Sequence, residues 1–146
     1  MTRKRILIVD DEIGSTRLLK ANLELTNLYE VRVENRPENA VSAARQFKPD
    51  AVLLDIVMPN MLGTAIAEAL LGEPELQSTF IAFLTAADNP LLTPNPNPAI
   101  ARLPRIRKPA SMKNILQFLE IYLRLPPVST AIAPGVPAQP YGGANA

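Results

Sequence analysis

"RILIVDD", residues 5–11, is an apolar run that ends abruptly in two acids. A strand with one wet face alternates apolar and polar residues. A run that is apolar at successive positions reads instead as a strand buried on both faces, as in a parallel sheet. The pattern recurs. "DAVLLDIV" (50–57) is a second buried strand ending near an acid, and "TFIAFLTA" (79–86) is a third. "YEVRVE" (29–34) alternates and reads as a strand near an edge. Helical stretches lie between the strands: Ser15 to Leu25, with a leucine stripe; "PENAVSAARQF" (37–47), with Pro37 where a missing N–H costs little; and "GTAIAEALL" (63–71). "RLPRIRK" (102–108) reads as a further strand that Pro104 restricts to an edge. "SMKNILQFLEIYLRL" (111–125) reads as a closing helix capped by Ser111. Alternation of this kind predicts an α/β fold, a doubly wound parallel sheet with helices on both faces.

One helix is missing from the alternation. "NPLLTPNPNP" (89–98) carries four prolines in ten positions where a helix should connect two strands. Proline lacks a backbone donor and clashes inside a helix, so an extended loop is expected there. Residues 126–146 carry no charge and five prolines among small residues, and read as a flexible or extended tail. No internal repeat is visible.

Composition narrows the chemistry. The chain has 146 residues, the size of one domain. It has no cysteine and no histidine, which excludes disulfides, thiolate and imidazole metal sites, and histidine acid–base catalysis. A net charge of +1 argues neither for nor against nucleic acid, and "RKR" at 3–5 reads as a solubilising entrance to the first strand. No apolar run approaches the roughly 18–20 residues of a membrane span. "ILIV" is too short for a signal-peptide core and acids follow it at once, so a cytoplasmic address is expected.

In an open parallel sheet, functional groups gather at the carboxyl ends of the strands. Those ends carry Asp10 and Asp11, Asp55, Thr85 and Lys108. Three carboxylates together raise one another's pKa, and a divalent cation relieves the repulsion. Oxygen-only ligands suit Mg²⁺. One carboxylate could then attack phosphorus, while a lysine and a hydroxyl bind phosphoryl oxygens. Taken singly, Asp10 and Asp11 could merely cap the next helix, Thr85 could be a structural strand-end hydroxyl, and Lys108 a solvated surface lysine. Asp55 resists a bland reading, because unpaired acids are rarely buried.

The motifs "LIVDDE" (7–12), "LLDIVMPNMLG" (53–63), "FLTA" (83–86) and "RKPA" (107–110) appear in this order, with separations of 55 − 11 = 44, 85 − 55 = 30 and 108 − 55 = 53 residues. Over about residues 4–125 the sequence resembles the receiver domain of two-component response regulators. A haloacid-dehalogenase-like site would want Asp-x-Asp, and Asp10 with Glu12 fits that poorly.

The resemblance implies a flavodoxin-like five-stranded sheet in the order 2-1-3-4-5, with the fourth helix replaced or disrupted by the proline-rich loop. It implies a receiver domain over 1–125 followed by the tail over 126–146. Asp55 would accept a phosphoryl group from a sensor histidine kinase or phosphotransfer protein. Asp11 and Asp55 would ligate Mg²⁺ directly, Asp10 through water, and the Val57 backbone carbonyl would add a ligand. Met58-Pro59 and Gly63 would shape the following loop. Thr85 would move toward the phosphoryl group and Lys108 would bind it, with a cis bond to Pro109. Output would pass to a downstream protein effector, with a homodimer possible and neither nucleic acid nor membrane contacted directly. The protein would be a phosphoacceptor that promotes its own phosphoryl transfer and dephosphorylation, not a turnover enzyme. The apolar Val57 and Ala87, which flank the site, would favour a long-lived phosphoryl group.

The sequence also departs from the family. Arg105 stands where an aromatic usually relays the threonine's motion, and Ala110 where a phenylalanine often follows Lys-Pro. With the proline stretch, these changes fall on the usual output face. A phosphorylation-independent protein-interaction module is therefore the competing expectation.

Overall fold

A computed structural model describes residues 2–86 and 97–123. Five strands form one sheet: β1 (Lys4–Val9), β2 (Tyr29–Glu34), β3 (Ala51–Asp55), β4 (Phe80–Ala86) and β5 (Arg105–Lys108). All pairings are parallel and the spatial order is β2-β1-β3-β4-β5. The helices are α1 (Ile13–Leu25), α2 (Ala40–Phe47), α3 (Gly63–Leu71), α4 (Pro98–Ala101) and α5 (Met112–Leu123). Single 3-10 turns at Pro37–Asn39 and Pro74–Leu76 each open on a proline.

The apolar runs bury both faces of the sheet, as their pattern requires. Successive strand side chains point to opposite faces. Leu7, Val9, Val52, Leu54, Ile81 and Phe83 join one core with residues of α2, α3 and α4. Their neighbours Ile6, Ile8, Leu53, Ala82 and Leu84 join a second core with α1 and α5. Each large aliphatic side chain buried this way contributes roughly 1.5–3 kcal/mol. The alternating strand β2 lies at one edge, and β5, preceded by Pro104, at the other.

Element boundaries shift where local chemistry wins. The first helix begins at Ile13 rather than Ser15, and β3 ends at Asp55 rather than at Val57. The expected strand 102–108 is shorter: Arg102 caps α4, and β5 begins only at Arg105. Ser111 does cap α5, its Oγ accepting the Asn114 N–H at 3.1 Å. The Lys108-Pro109 bond is cis.

The proline stretch is described only at its end. There Asn97 accepts the Ala99 N–H at 2.9 Å, and Pro98 takes the first position of the four-residue α4. The Asn97 side chain also donates to Glu68 on α3 at 3.2 Å. Ile100 is 2% exposed and packs into the core beneath α3, with Leu103 against its rim. The loop expected over 89–96, and the tail over 126–146, lie outside the described residues.

Because Ile100 is buried in this core, Ile100→Ala should cost about 2–5 kcal/mol, as truncation of a buried aliphatic side chain does. Urea unfolding checks this; a loss under about 0.5 kcal/mol would mark α4 as surface.

Candidate functional site

Four strand ends converge at one edge of the sheet. Asp10 follows β1, Asp55 closes β3, Thr85 is the penultimate residue of β4 and Lys108 closes β5. Register sets their spacing: Asp55 pairs with Leu84 and Thr85 with Arg107. Asp10, Asp55 and Thr85 are all buried, whereas Asp11 is exposed.

Lys108 bridges the acids. Its Nζ donates to Asp10 Oδ2 and to Asp55 Oδ1, each at 3.1 Å. Asp10 Oδ1 accepts the Glu12 N–H at 3.0 Å, so that carboxylate is held at both oxygens. Asp10 therefore shapes the turn before α1. The residue at the helix cap is Glu12, and its side chain makes no capping bond. The alternative reading of the paired acids as simple helix caps does not describe this geometry.

One carboxylate oxygen from each of Asp10, Asp11 and Asp55 lies within 4.8 Å of the others. With Lys108, the four side chains sum to −3 + 1 = −2. Burial pushes the Asp55 pKa up, and Asp10 pushes it further; the Lys108 hydrogen bond and the Ile56 amide only partly offset this. Burial alone would lower the Lys108 pKa, but Asp55 and Asp10 outweigh it and hold the ammonium above its ordinary value. One lysine thus under-compensates three acids. An all-oxygen donor set with a net charge of −2 fits a hard divalent cation such as Mg²⁺.

The loop after β3 is built against this edge. Gly63 N–H donates to the Ile56 carbonyl at 2.8 Å. A Cβ at Gly63 would collide with the Asp55 carbonyl oxygen and stand 2.9 Å from Ile56 Cα. Only glycine lets α3 start so close to the strand end that carries Asp55. Asn60 turns the loop with φ of 69°, in the left-handed region that asparagine tolerates. Val57 lies in this loop and is 56% exposed. Ala87, its expected counterpart, lies outside the described residues. Arg105 is half-buried beside Phe83.

Two polar residues at the site escaped the sequence reading. Thr16 is 2% exposed, and Asn35 donates to both Thr16 Oγ1 and the Asp10 carbonyl. Neither belongs to a motif; the run of strand end, asparagine, turn was their only trace.

Known proteins resemble this chain in sequence and fold. The profile of the Response regulator receiver domain matches residues 6–120. Response regulator PleD of Caulobacter vibrioides is 36% identical over 84 residues, 58% of this chain but 18% of that protein. Protein PilH of Pseudomonas aeruginosa is 38% identical over 84 residues, 58% of this chain and 69% of PilH. The match to PleD therefore spans less than a fifth of that relative. Among solved structures, the chemotaxis response regulator CheY4 of Vibrio cholerae superposes with a TM-score of 0.73 at 24% identity, over 83% of this chain and 99% of that one. The BeF3-activated receiver domain of Klebsiella pneumoniae RstA gives 0.69 at 27% identity, over 84% of this chain and 100% of that one.

Gly63→Ala should destabilise by about 1–3 kcal/mol, because the clash is with backbone. Gly14→Ala, in open space on α1, should be neutral or stabilise by up to about 1 kcal/mol. Chemical denaturation of both variants separates them.

The raised pKa of Asp55 has a signed consequence. Between the ordinary carboxylate value and the raised one, the native state holds a proton that the unfolded chain has lost, so stability falls as pH rises through that window. In EDTA, Asp55→Asn should melt higher than wild type at neutral pH. The gain should vanish below the ordinary carboxylate range. A lower melting point for Asp55→Asn at neutral pH would contradict this charge balance.

Proposed function

The chain belongs to the response regulator receiver domain family, and on that premise we propose that Asp55 is the phosphoacceptor of a Mg²⁺-dependent switch in two-component signalling. The donor is the phosphohistidine of a sensor kinase or phosphotransfer protein. The observation that carries the reading is the buried Asp55 carboxylate, 3.1 Å from the Lys108 ammonium and beside two further acids.

The chemistry assigns a role to each group. An Asp55 oxygen attacks phosphorus, the P–N bond to the donor imidazole breaks, and an acyl phosphate forms. Burial strips water from this carboxylate and raises its basicity, both of which favour attack. Asp10 already has both oxygens engaged, and Asp11 is exposed. Asp11, Asp55 and the Val57 carbonyl would hold Mg²⁺, with Asp10 acting through water. The cation supplies charge neutralisation between carboxylates and phosphoryl oxygens. Lys108 pairs with one phosphoryl oxygen as a point charge, and the Thr85 hydroxyl hydrogen-bonds another.

Partner access fits the same edge. Ile13, Val57, Met61 and Leu62 are large apolar side chains exposed around the acids, an apolar rim for a docking protein. Val57 offers no polar group to orient an attacking water, which favours a long-lived phosphoryl group. Among the described residues no helix is long and apolar enough to cross a membrane. We place its action in the cytoplasm, with output through contact with a downstream protein effector or a second copy. Arg105 replaces the usual relay aromatic, so the Thr85 motion is read out differently from the family habit.

Intact mass after incubation with acetyl phosphate tests the assignment. Wild type should gain one phosphoryl group in Mg²⁺ and none in EDTA, and Asp55→Asn should gain none. Phosphate persisting on Asp55→Asn would move the acceptor elsewhere. A wild type that cannot be phosphorylated even by kinases would favour a phosphorylation-independent interaction module.

A further inference from the structure

The acids are carried by a turn, and the turn needs an anchor. Asp10 and Asp11 lie between β1 and α1, each with a carboxylate oxygen within 4.8 Å of one on Asp55. The α1 start has no side-chain cap of its own. The restraint comes from the end of β2. The Asp10 N–H donates to the Glu34 carbonyl at 3.2 Å. The Asn35 Nδ2 donates to the Asp10 carbonyl at 2.7 Å and to Thr16 Oγ1 at 3.0 Å. Both polar groups of the Asp10 main chain are thus tied to consecutive residues of a neighbouring segment.

The orientation of this amide is fixed by chemistry. A backbone carbonyl can only accept, so the NH₂ side of Asn35 must face Asp10. The Thr16 hydroxyl accepts from Asn35 and donates onward to the Ile13 carbonyl at 3.0 Å. Asn35 therefore links three segments: the end of β2, the acidic turn and the first turn of α1.

We infer that Asn35 is a positioning residue for the metal site, holding the Asp10–Asp11 turn in register with Asp55 through the Asp10 carbonyl and Thr16. It touches neither metal nor phosphate. Its effect falls on how cheaply the carboxylates converge, and so on divalent affinity. The inference rests on the Mg²⁺ reading of the acidic site. Partners that orient metal ligands in this way change affinity by on the order of tenfold or more when lost.

Titration with Mg²⁺ alone, followed by amide NMR or calorimetry on the full chain, tests it. Asn35→Ala should raise the Mg²⁺ Kd by on the order of tenfold, with faster hydrogen exchange at Asp11 and Glu12. Thr16→Val keeps the Asp10 bond and should raise Kd by clearly less than Asn35→Ala does. Thr79→Ala is the control. It loses a 2.8 Å hydrogen bond to the Pro49 carbonyl at the opposite end of the sheet, and should lower stability without moving Kd. Phosphorylation of Asn35→Ala by acetyl phosphate should return to the wild-type rate at saturating Mg²⁺. An unchanged Kd in Asn35→Ala overturns the inference and leaves the phosphoacceptor reading standing. So does an equal rise in Thr79→Ala, which would make the effect one of general stability. A wild type with no saturable Mg²⁺ binding overturns the metal reading itself, and the inference with it.

Discussion

Two buried carboxylates and an exposed third share one end of the sheet with a single ammonium, and that imbalance organises this molecule. Lys108 reaches Asp10 and Asp55 at 3.1 Å each, yet burial still holds the Asp55 pKa above its ordinary value. A buried, under-compensated carboxylate is costly to fold around. The fold meets that cost with two apolar cores that clamp the central strands from both faces. On the proposed reading, the imbalance provides an affinity for a divalent cation and a nucleophilic oxygen on Asp55. The strand order places the donors of both at one edge, although they are as far apart in sequence as Asp10 and Lys108.

Much of this was legible in the sequence, for physical reasons. A strand buried on both faces must be apolar at successive positions, so β1, β3 and β4 announced themselves. The carboxyl ends of parallel strands share one end of the sheet, so the sequence alone groups Asp10, Asp55, Thr85 and Lys108. The alternating β2 and the proline before β5 pointed to the two edges. Gly63 is equally clear in retrospect: its missing Cβ leaves room for the Asp55 carbonyl.

The less legible parts depend on long-range contacts between ordinary residues. Asn35 in sequence is a turn residue after a strand. Only the sheet brings its amide to the Asp10 carbonyl, 25 residues away. β5 starts later than the sequence suggests because Arg102 caps a short helix and Leu103 turns the chain after it, its N–H donating to the Ile100 carbonyl at 3.1 Å. That helix exists because Pro98 occupies the one position where proline suits a helix, with Asn97 capping it. The same segment bears on the proposed output: Arg105 stands where the family resemblance leads one to expect an aromatic, whereas the acidic edge carries the carboxylates, hydroxyl and ammonium that the proposed switch requires.

The central claim is that Asp55 is the oxygen nucleophile. Borohydride reduction of the phosphorylated protein converts an aspartyl phosphate to homoserine, and peptide mass mapping then locates it. The account predicts homoserine at residue 55 alone, formed only when Mg²⁺ was present during phosphorylation. Conversion at Asp10 or Asp11, or a phosphate that survives reduction on a hydroxyl such as Thr85, would contradict it.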